Sequence, residues 1–353
     1  MKKRFYLLDI ARGVAALSVV IYHYRTFIRD PISTYSISEK QLPFYDYIFF
    51  IWDQGWLAVQ FFFILSGFIF YELYSEALSK KKISFKKFFI LRFSRLYPLH
   101  FLTLLITVIL FFLFDLFNVN SETINGDLKH FILNILLLQS WGLENFQSFN
   151  EPAWSISIEI MCYFIFYYIS TRNYGAVRSS IFLIILSLIL YNFNKFIGYG
   201  LFCFFMGGIT NIIYNKLISI KRLIKKYFFS ISLTCLILSA AILQTISNSI
   251  IEKVLLLGAV LPLLILTLMF YQKININVGN NFKFIGDISY SIYLNHFVIQ
   301  MIIHLIMNIY KLKLDFSSEM IFIYYIAFII IISLFSYNFY EKKLQNYIRK
   351  KYL

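Results

Sequence analysis

Arg12 and His23 stand eleven residues apart in a run that is otherwise almost wholly apolar, from Leu7-Leu8-Asp9-Ile10-Ala11-Arg12-Gly13 to Ile21-Tyr22-His23. Eleven residues make about three helical turns, so a helix puts both side chains on one face, roughly 16 Å apart along its axis. Ionisable groups held at such depths in an apolar helix usually mark a pathway or a site. The plain alternative is a buried structural pair, each member satisfied by a neighbouring helix.

Other residues could join them. Trp154-Ser155-Ile156-Ser157-Ile158-Glu159 opens an apolar run. The indole suits a membrane interface, and Glu159 then lies roughly 8 Å below it, near the expected depth of His23. A carboxylate and an imidazole at one level can form an acid–base pair; Glu159 could instead neutralise a cation such as Arg25. In Arg92-Phe93-Ser94-Arg95-Leu96-Tyr97-Pro98 the two arginines share a helix face, and paired guanidinium forks suit a phosphate ligand. The lysines ahead of them, Lys80-Lys81-Lys82 and Lys86-Lys87, read better as anchors to anionic headgroups. Gln60 and Ser66 offer polar lining in an apolar run, whereas Gly67 reads as a packing residue. The segment Asp287-Ile288-Ser289-Tyr290-Ser291-Ile292-Tyr293-Leu294-Asn295-His296 adds a row of hydroxyls and a second deep imidazole. The expected polar path runs Arg92, Arg95, Arg12, Tyr290, His296, His23, Glu159. A phosphate-bearing donor at one surface could reach a base near the other along it.

The elements that must hold these residues follow from composition. Of 353 residues, 59% are hydrophobic and only 14% charged, against about 25% charged in typical globular domains. Long apolar runs recur throughout, which makes the chain an all-α, polytopic transmembrane bundle and a single domain over 1–353. Ten spans are expected, at 6–28, 47–74, 88–117, 153–171, 178–193, 197–215, 228–247, 252–271, 285–308 and 320–341. The short apolar piece 131–141, beside the polar segment 118–130, is expected to be re-entrant or outward-facing. The net charge of +15 resides in short loops, biased roughly three to one towards one side when both termini are cytoplasmic. That distribution points to membrane topology and away from nucleic acid. The start Met1-Lys2-Lys3-Arg4 is expected to lead an uncleaved first span, because Asp9, Arg12 and His23 would spoil a signal peptide. Cys162, Cys203 and Cys235 lie in apolar runs without ligand spacing, so neither a disulfide framework nor a metal site is expected. Walker and Rossmann patterns are lacking, as are the inverted repeats of common secondary transporters.

Taken together, these residues resemble the acyltransferase-3 family of integral membrane O-acyltransferases. The matching blocks are Leu8-Asp9-x-x-Arg12-Gly13 with ten residues between Arg12 and His23, Phe62-Phe63-x-Leu65-Ser66-Gly67-Phe68, and Arg92-x-x-Arg95-x-Tyr97-Pro98. Trp154-Ser155-x-x-x-Glu159, Ser289-Tyr290-Ser291-x-Tyr293-Leu294-x-His296 and Tyr340-Glu341 complete the set in the family's order. Gln60 stands where many relatives carry an acid, and Lys342 replaces a frequent proline. The polysaccharide O-acetyltransferase type without a C-terminal soluble domain is the nearest description. The resemblance implies acyl transfer from cytoplasmic acyl-CoA, acetyl-CoA foremost, to an extracytoplasmic carbohydrate or its lipid-linked precursor, in a bacterial inner membrane. It also implies essential roles at Arg12, His23, Arg92 and Arg95.

The expected roles are then as follows. His23 is the general base or a transient acyl carrier, Arg12 holds the donor or its polarised thioester, and Glu159 orients His23. Arg92, Arg95, Tyr290 and Ser66 bind the donor; Trp154, His296 and Gln60 contact the acceptor. Membrane lipids are expected partners, no metal or nucleic acid is, and homo-oligomerisation is left open. The competing expectation is a transporter or flippase that uses the same buried charges.

Overall fold

The computed structural model describes residues 4–29, 39–119, 126–144, 148–172, 174–218, 224–243, 249–275 and 278–353. Lys2 and Lys3, residues 120–125 of the polar segment 118–130 and the end of the expected span 228–247 lie outside these. The described residues form helices joined by turns, with no β-strand. Helices α1 (Tyr6–His23), α2 (Tyr45–Gln54), α3 (Leu57–Ser79), α4 (Phe85–Leu116) and α5 (Leu128–Ile135) come first. They are followed by α6 (Trp154–Thr171), α7 (Ala176–Leu190), α8 (Lys195–Ile218), α9 (Ile224–Leu243) and α10 (Leu261–Ile274). Last are α11 (Lys283–Tyr310), α12 (Glu319–Phe335) and α13 (Lys342–Tyr352), with a π turn, Ser336–Glu341, between the last two.

Eight helices among the described residues are long and apolar enough to cross a membrane. Two of the ten expected spans fall instead on shorter apolar helices, Ala176–Leu190 and Tyr227–Ser239. The expected span 47–74 is two helices: the chain turns at Gly55, where a Cβ would come within 2.5 Å of the Tyr22 Cβ. The first helix ends at His23 rather than continuing to 28, and a turn separates it from Thr26–Arg29. The piece 131–141 is the end of the short helix α5 followed by turns, and α5 is capped by Asp127, whose side chain accepts from the His130 amide at 2.8 Å. Large apolar side chains such as Phe112 and Phe182 are more than 60% exposed. In a multi-pass bundle such outward faces meet lipid.

The chain divides into two compact units. The first comprises Met1–Gly13, Val59–Phe85 and Ile158–Gly286. Its core is aromatic: Phe68, Phe70, Phe166, Phe204 and Phe205 are fully buried, and Phe70 stacks on Tyr163 with centroids 4.1 Å apart. Between apolar helices in lipid the hydrophobic gain is small, so close packing and interhelical hydrogen bonds carry association. The crossing of α3 with α8 meets this need. A Cβ on Gly67 would lie 1.8 Å from the Phe204 carbonyl oxygen, and one on Gly207 would lie 2.0 Å from that of Ile64.

The second unit comprises Val14–Ala58, Lys86–Ser157 and Asp287–Leu353. Tyr24, Phe27 and Trp52 are buried in it beside Phe316, Phe322 and Tyr325, and the Tyr24 hydroxyl donates to the Phe316 carbonyl at 3.1 Å. A second apolar cluster joins Leu110 and Phe114 of α4 to Phe297, Val298, Met301 and Leu305 of α11. Pro98 sits inside α4; lacking an N–H, it leaves the Ser94 carbonyl without its helical donor.

Candidate functional site

In the first unit Arg12 is held tightly. Its guanidinium donates to the Gly286 carbonyl at 2.6 Å and to Asp9 at 3.1 Å, and the second Asp9 oxygen accepts from Arg4 at 2.8 Å. The approach is close because the first turn of α11 carries Gly286, where a Cβ would come within 2.5 Å of the Asp9 carbonyl oxygen. Arg12 is therefore a half-buried cation, held by the Asp9 carboxylate and the Gly286 carbonyl among its partners. The same unit contains Glu159, which accepts from Ser66 at 2.8 Å and from the Tyr163 hydroxyl. Gln60 is buried, and its carbonyl oxygen has no hydrogen-bond partner among the described residues.

In the second unit His23 ends α1. Its Nδ1 lies 3.4 Å from Nε2 of His296, with ring centroids 5.1 Å apart. Two residues hold its main chain: Gln300 and Thr26 both donate to the His23 carbonyl, each at 2.9 Å. Arg25, weighed above as a partner for Glu159, is paired with Asp53 at 2.8 Å.

Arg92 and Arg95 lie in the early turns of α4, both half-buried. Their segment is braced from two sides. Tyr290 donates to the Leu96 carbonyl at 2.6 Å, and Arg349 of α13 donates to the Leu91 carbonyl and the Ser94 hydroxyl, each at 3.1 Å. Two guanidinium groups on a braced helix can receive the oxygens of a phosphate bidentately. Trp154 begins α6 and is half-buried. Next to it the Ser155 and Tyr293 hydroxyls meet at 2.8 Å, and Tyr293 donates to the Pro152 carbonyl at 2.8 Å. Glu341, in the π turn, is buried and accepts from Ser291 at 2.7 Å.

Within their units the structure thus brings His23 to His296 and Ser66 to Glu159, and it sets Tyr290 beside the arginine segment. The sequence reading missed Gln300 and Arg349. Gln300 was detectable: it lies four residues after His296, one turn along the same helix face. Arg349 carried no such signal, since it sits in a tail that reads as a solvated basic run. A further polar chain lies outside the spans. Asn134 donates to Ser148 at 2.8 Å, and Ser148 donates to Glu144 at 3.0 Å. Burial pushes the Glu144 carboxyl up to about 7, against the opposing pull of the Ser148 hydroxyl. No group of three His, Cys, Asp or Glu side chains fit to hold a metal occurs among the described residues.

These features, an apolar helical bundle with an Arg–His helix at its start and a braced arginine pair, define a multi-pass membrane protein of the acyltransferase-3 type. The chain belongs to that family: its acyltransferase domain matches residues 5–340. The chain is also 40% identical over 103 residues to protein 2 in the picA locus of Rhizobium radiobacter, covering 29% of this chain and 43% of that protein. It is 36% identical over 116 residues to acyltransferase MdmB of Streptomyces mycarofaciens, covering 32% of this chain and 27% of MdmB. The matched stretches span less than half of either relative. No solved structure matches the chain.

Proposed function

We propose that the protein is a membrane O-acyltransferase. It would move an acetyl group from cytoplasmic acetyl-CoA to a hydroxyl of an extracytoplasmic surface polysaccharide or its lipid-linked precursor, as one domain in a bacterial inner membrane with both termini cytoplasmic. Family membership supports the reaction class. The observation that carries the mechanism is an imidazole, His23, with its main chain clamped and one ring nitrogen engaged by His296.

In this reading His23 takes the proton of the acceptor hydroxyl as its oxygen attacks the thioester carbonyl. The new ester C–O bond forms, the C–S bond breaks, and CoA leaves as a thiolate that recovers the proton from the imidazolium. Arg12 holds the thioester end of the donor. Arg92 and Arg95 hold CoA phosphates, with Tyr290 setting their segment and Ser66 lining the donor's path. Glu159, expected from the sequence to orient His23, accepts from the Ser66 and Tyr163 hydroxyls. Trp154 and Gln60 contact the acceptor, the indole by stacking on a sugar face.

The test uses sealed vesicles of known orientation. Acetyl-CoA should support acetylation only from the side bearing the N-terminus, and the glycan should be modified only on the other side. Modification of a glycan confined with acetyl-CoA on the N-terminal side would refute transfer across the membrane. Glycan or proton movement without CoA release would turn the assignment to a transporter.

A further inference from the structure

We propose that His296 is a positioning residue: its Nε2 accepts the Nδ1–H of His23 and so fixes Nε2 of His23 as the nitrogen that takes the acceptor's proton. The inference rests on the reading of His23 as the base and gives His296 a task different from the acceptor contact expected from sequence.

Hydrogen-bond direction decides which nitrogen of each ring carries the hydrogen. Nδ1 of His296 lies 3.3 Å from the carbonyl oxygen of Ile292, one turn earlier in α11. A carbonyl oxygen only accepts, so Nδ1 of His296 carries a hydrogen. A neutral imidazole has a single N–H, and the His296 side chain is fully buried with no carboxylate partner among the described residues. A second proton there would be an uncompensated buried charge. Nε2 of His296 therefore presents its lone pair. The atom facing that lone pair is Nδ1 of His23, at 3.4 Å, so the hydrogen between the rings belongs to His23. The lone pair of neutral His23 is then on its own Nε2, which has no hydrogen-bond partner among the described residues.

The opposite arrangement fails on the same geometry. If His296 carried its hydrogen on Nε2, its Nδ1 lone pair would face the Ile292 carbonyl at 3.3 Å with no proton between them. Which nitrogen of a histidine is protonated is set by the bond its other nitrogen makes, and here the chain of bonds starts from the main chain of α11. The rings meet at 76°, so they approach without stacking. Gln300, one turn beyond His296, holds the His23 carbonyl; one face of α11 thus fixes both the ring and the main chain of the base. When His23 accepts a proton at Nε2, its Nδ1–H still points at an acceptor. The charge is stabilised and no proton need pass to His296.

The test has two arms on the full-length purified protein. In the first, the probe is acetyl-CoA turnover with water as acceptor, read as CoA release. His296→Ala and His296→Asn should lower kcat by roughly tenfold to hundredfold, the range seen when groups orienting a site histidine are lost, with KM for acetyl-CoA unchanged. His296→Gln should retain most of kcat, because an amide oxygen can stand where Nε2 stood and accept the same hydrogen. In the second arm, 15N NMR of histidine-labelled protein, with the His23 signals assigned by their loss in His23→Ala, should show His23 protonated at Nδ1 in wild type and His296→Gln. In His296→Ala it should show a mixed tautomer. The wild-type spectrum decides the matter even where His296→Ala does not fold. A wild-type His23 protonated at Nε2 would overturn the proposal, as would wild-type kcat in His296→Ala or a Gln variant as slow as Ala. Full turnover in His23→Ala would instead overturn the reading of His23 as base.

Discussion

Gly67→Ala asks whether the α3–α8 crossing is as tight as its geometry states. The new methyl would lie 1.8 Å from the Phe204 carbonyl oxygen, 2.7 Å from its carbon and 3.2 Å from its Cα. Ordinary contact begins near 3.4 Å, so the deficit is 1.6 Å, the difference between 3.4 and 1.8 Å. The obstacle is main chain, and no rotamer change relieves it. The helices must part, but in the same crossing Gly207 of the opposite helix packs so close that a Cβ on it would lie 2.0 Å from the Ile64 carbonyl oxygen, so sliding along the seam gives no room. A gap of 0.5–1 Å already forfeits about a quarter to a half of a contact's dispersion energy, and overpacking a well-filled core costs about 1–3 kcal/mol. The expected loss is at the top of that range, about 3 kcal/mol, or roughly a hundredfold in the folded-to-unfolded ratio. It would be read as an earlier unfolding midpoint in a denaturing-detergent titration. Ser66→Ala is the control on the adjacent residue: it removes a hydrogen bond to Glu159 without adding an atom, and should shift the midpoint less. A Gly67→Ala midpoint equal to wild type would refute the close-packing argument.

Two further outcomes follow from the site and its surroundings. Arg92→Ala or Arg95→Ala should weaken acetyl-CoA binding about tenfold to hundredfold, the worth of a charge-assisted hydrogen bond, and Lys should restore only part of it because it lacks the planar fork; unchanged isotherms for both Ala variants would make the pair a lipid anchor. The Glu144 carboxyl is raised from 4.5 to about 7 in the folded chain, so it stabilises the fold below about pH 4.5 and that contribution is lost as the pH rises through 7. Wild type should therefore melt progressively earlier than Glu144→Gln between pH 5 and 8, and parallel curves would refute the burial of that carboxyl.

The bundle was legible in the sequence because apolar runs of spanning length have few other outcomes. Breaks within those runs were not. Gly55 divides the segment read as 47–74 just after the polar pair Asp53-Gln54, and the close approach to Tyr22 that leaves no room for a Cβ there is visible only in the structure. The tail after Tyr340 reads as a basic run, and only the structure shows Arg349 reaching the Leu91 carbonyl and the Ser94 hydroxyl. The chemistry-bearing residues were legible by type and depth, because a buried cation or imidazole is costly wherever it sits. Their partners were not. Spacing along α1 puts Arg12 and His23 on one face but does not give Arg12 to the Gly286 carbonyl or His23 to His296.

That difference bears on how such a site is built. Arg12 cannot be read as a free ligand-seeking cation, for Asp9 and a carbonyl already hold it. A guanidinium has five donors, and the Asp9 carboxylate and the Gly286 carbonyl, both bonded to one of its nitrogens, fix the direction of the group. The same logic applies along α4. Pro98 removes a helical donor from the turn that follows Arg92 and Arg95, while Tyr290 and Arg349 bond to main-chain carbonyls and a hydroxyl on that segment. In lipid, where apolar contact between helices gains little, such bonds fix where a charged head can point. A change at Tyr290 or Arg349 should therefore act on the arginine pair through its main chain, weakening acetyl-CoA binding without removing a single phosphate ligand.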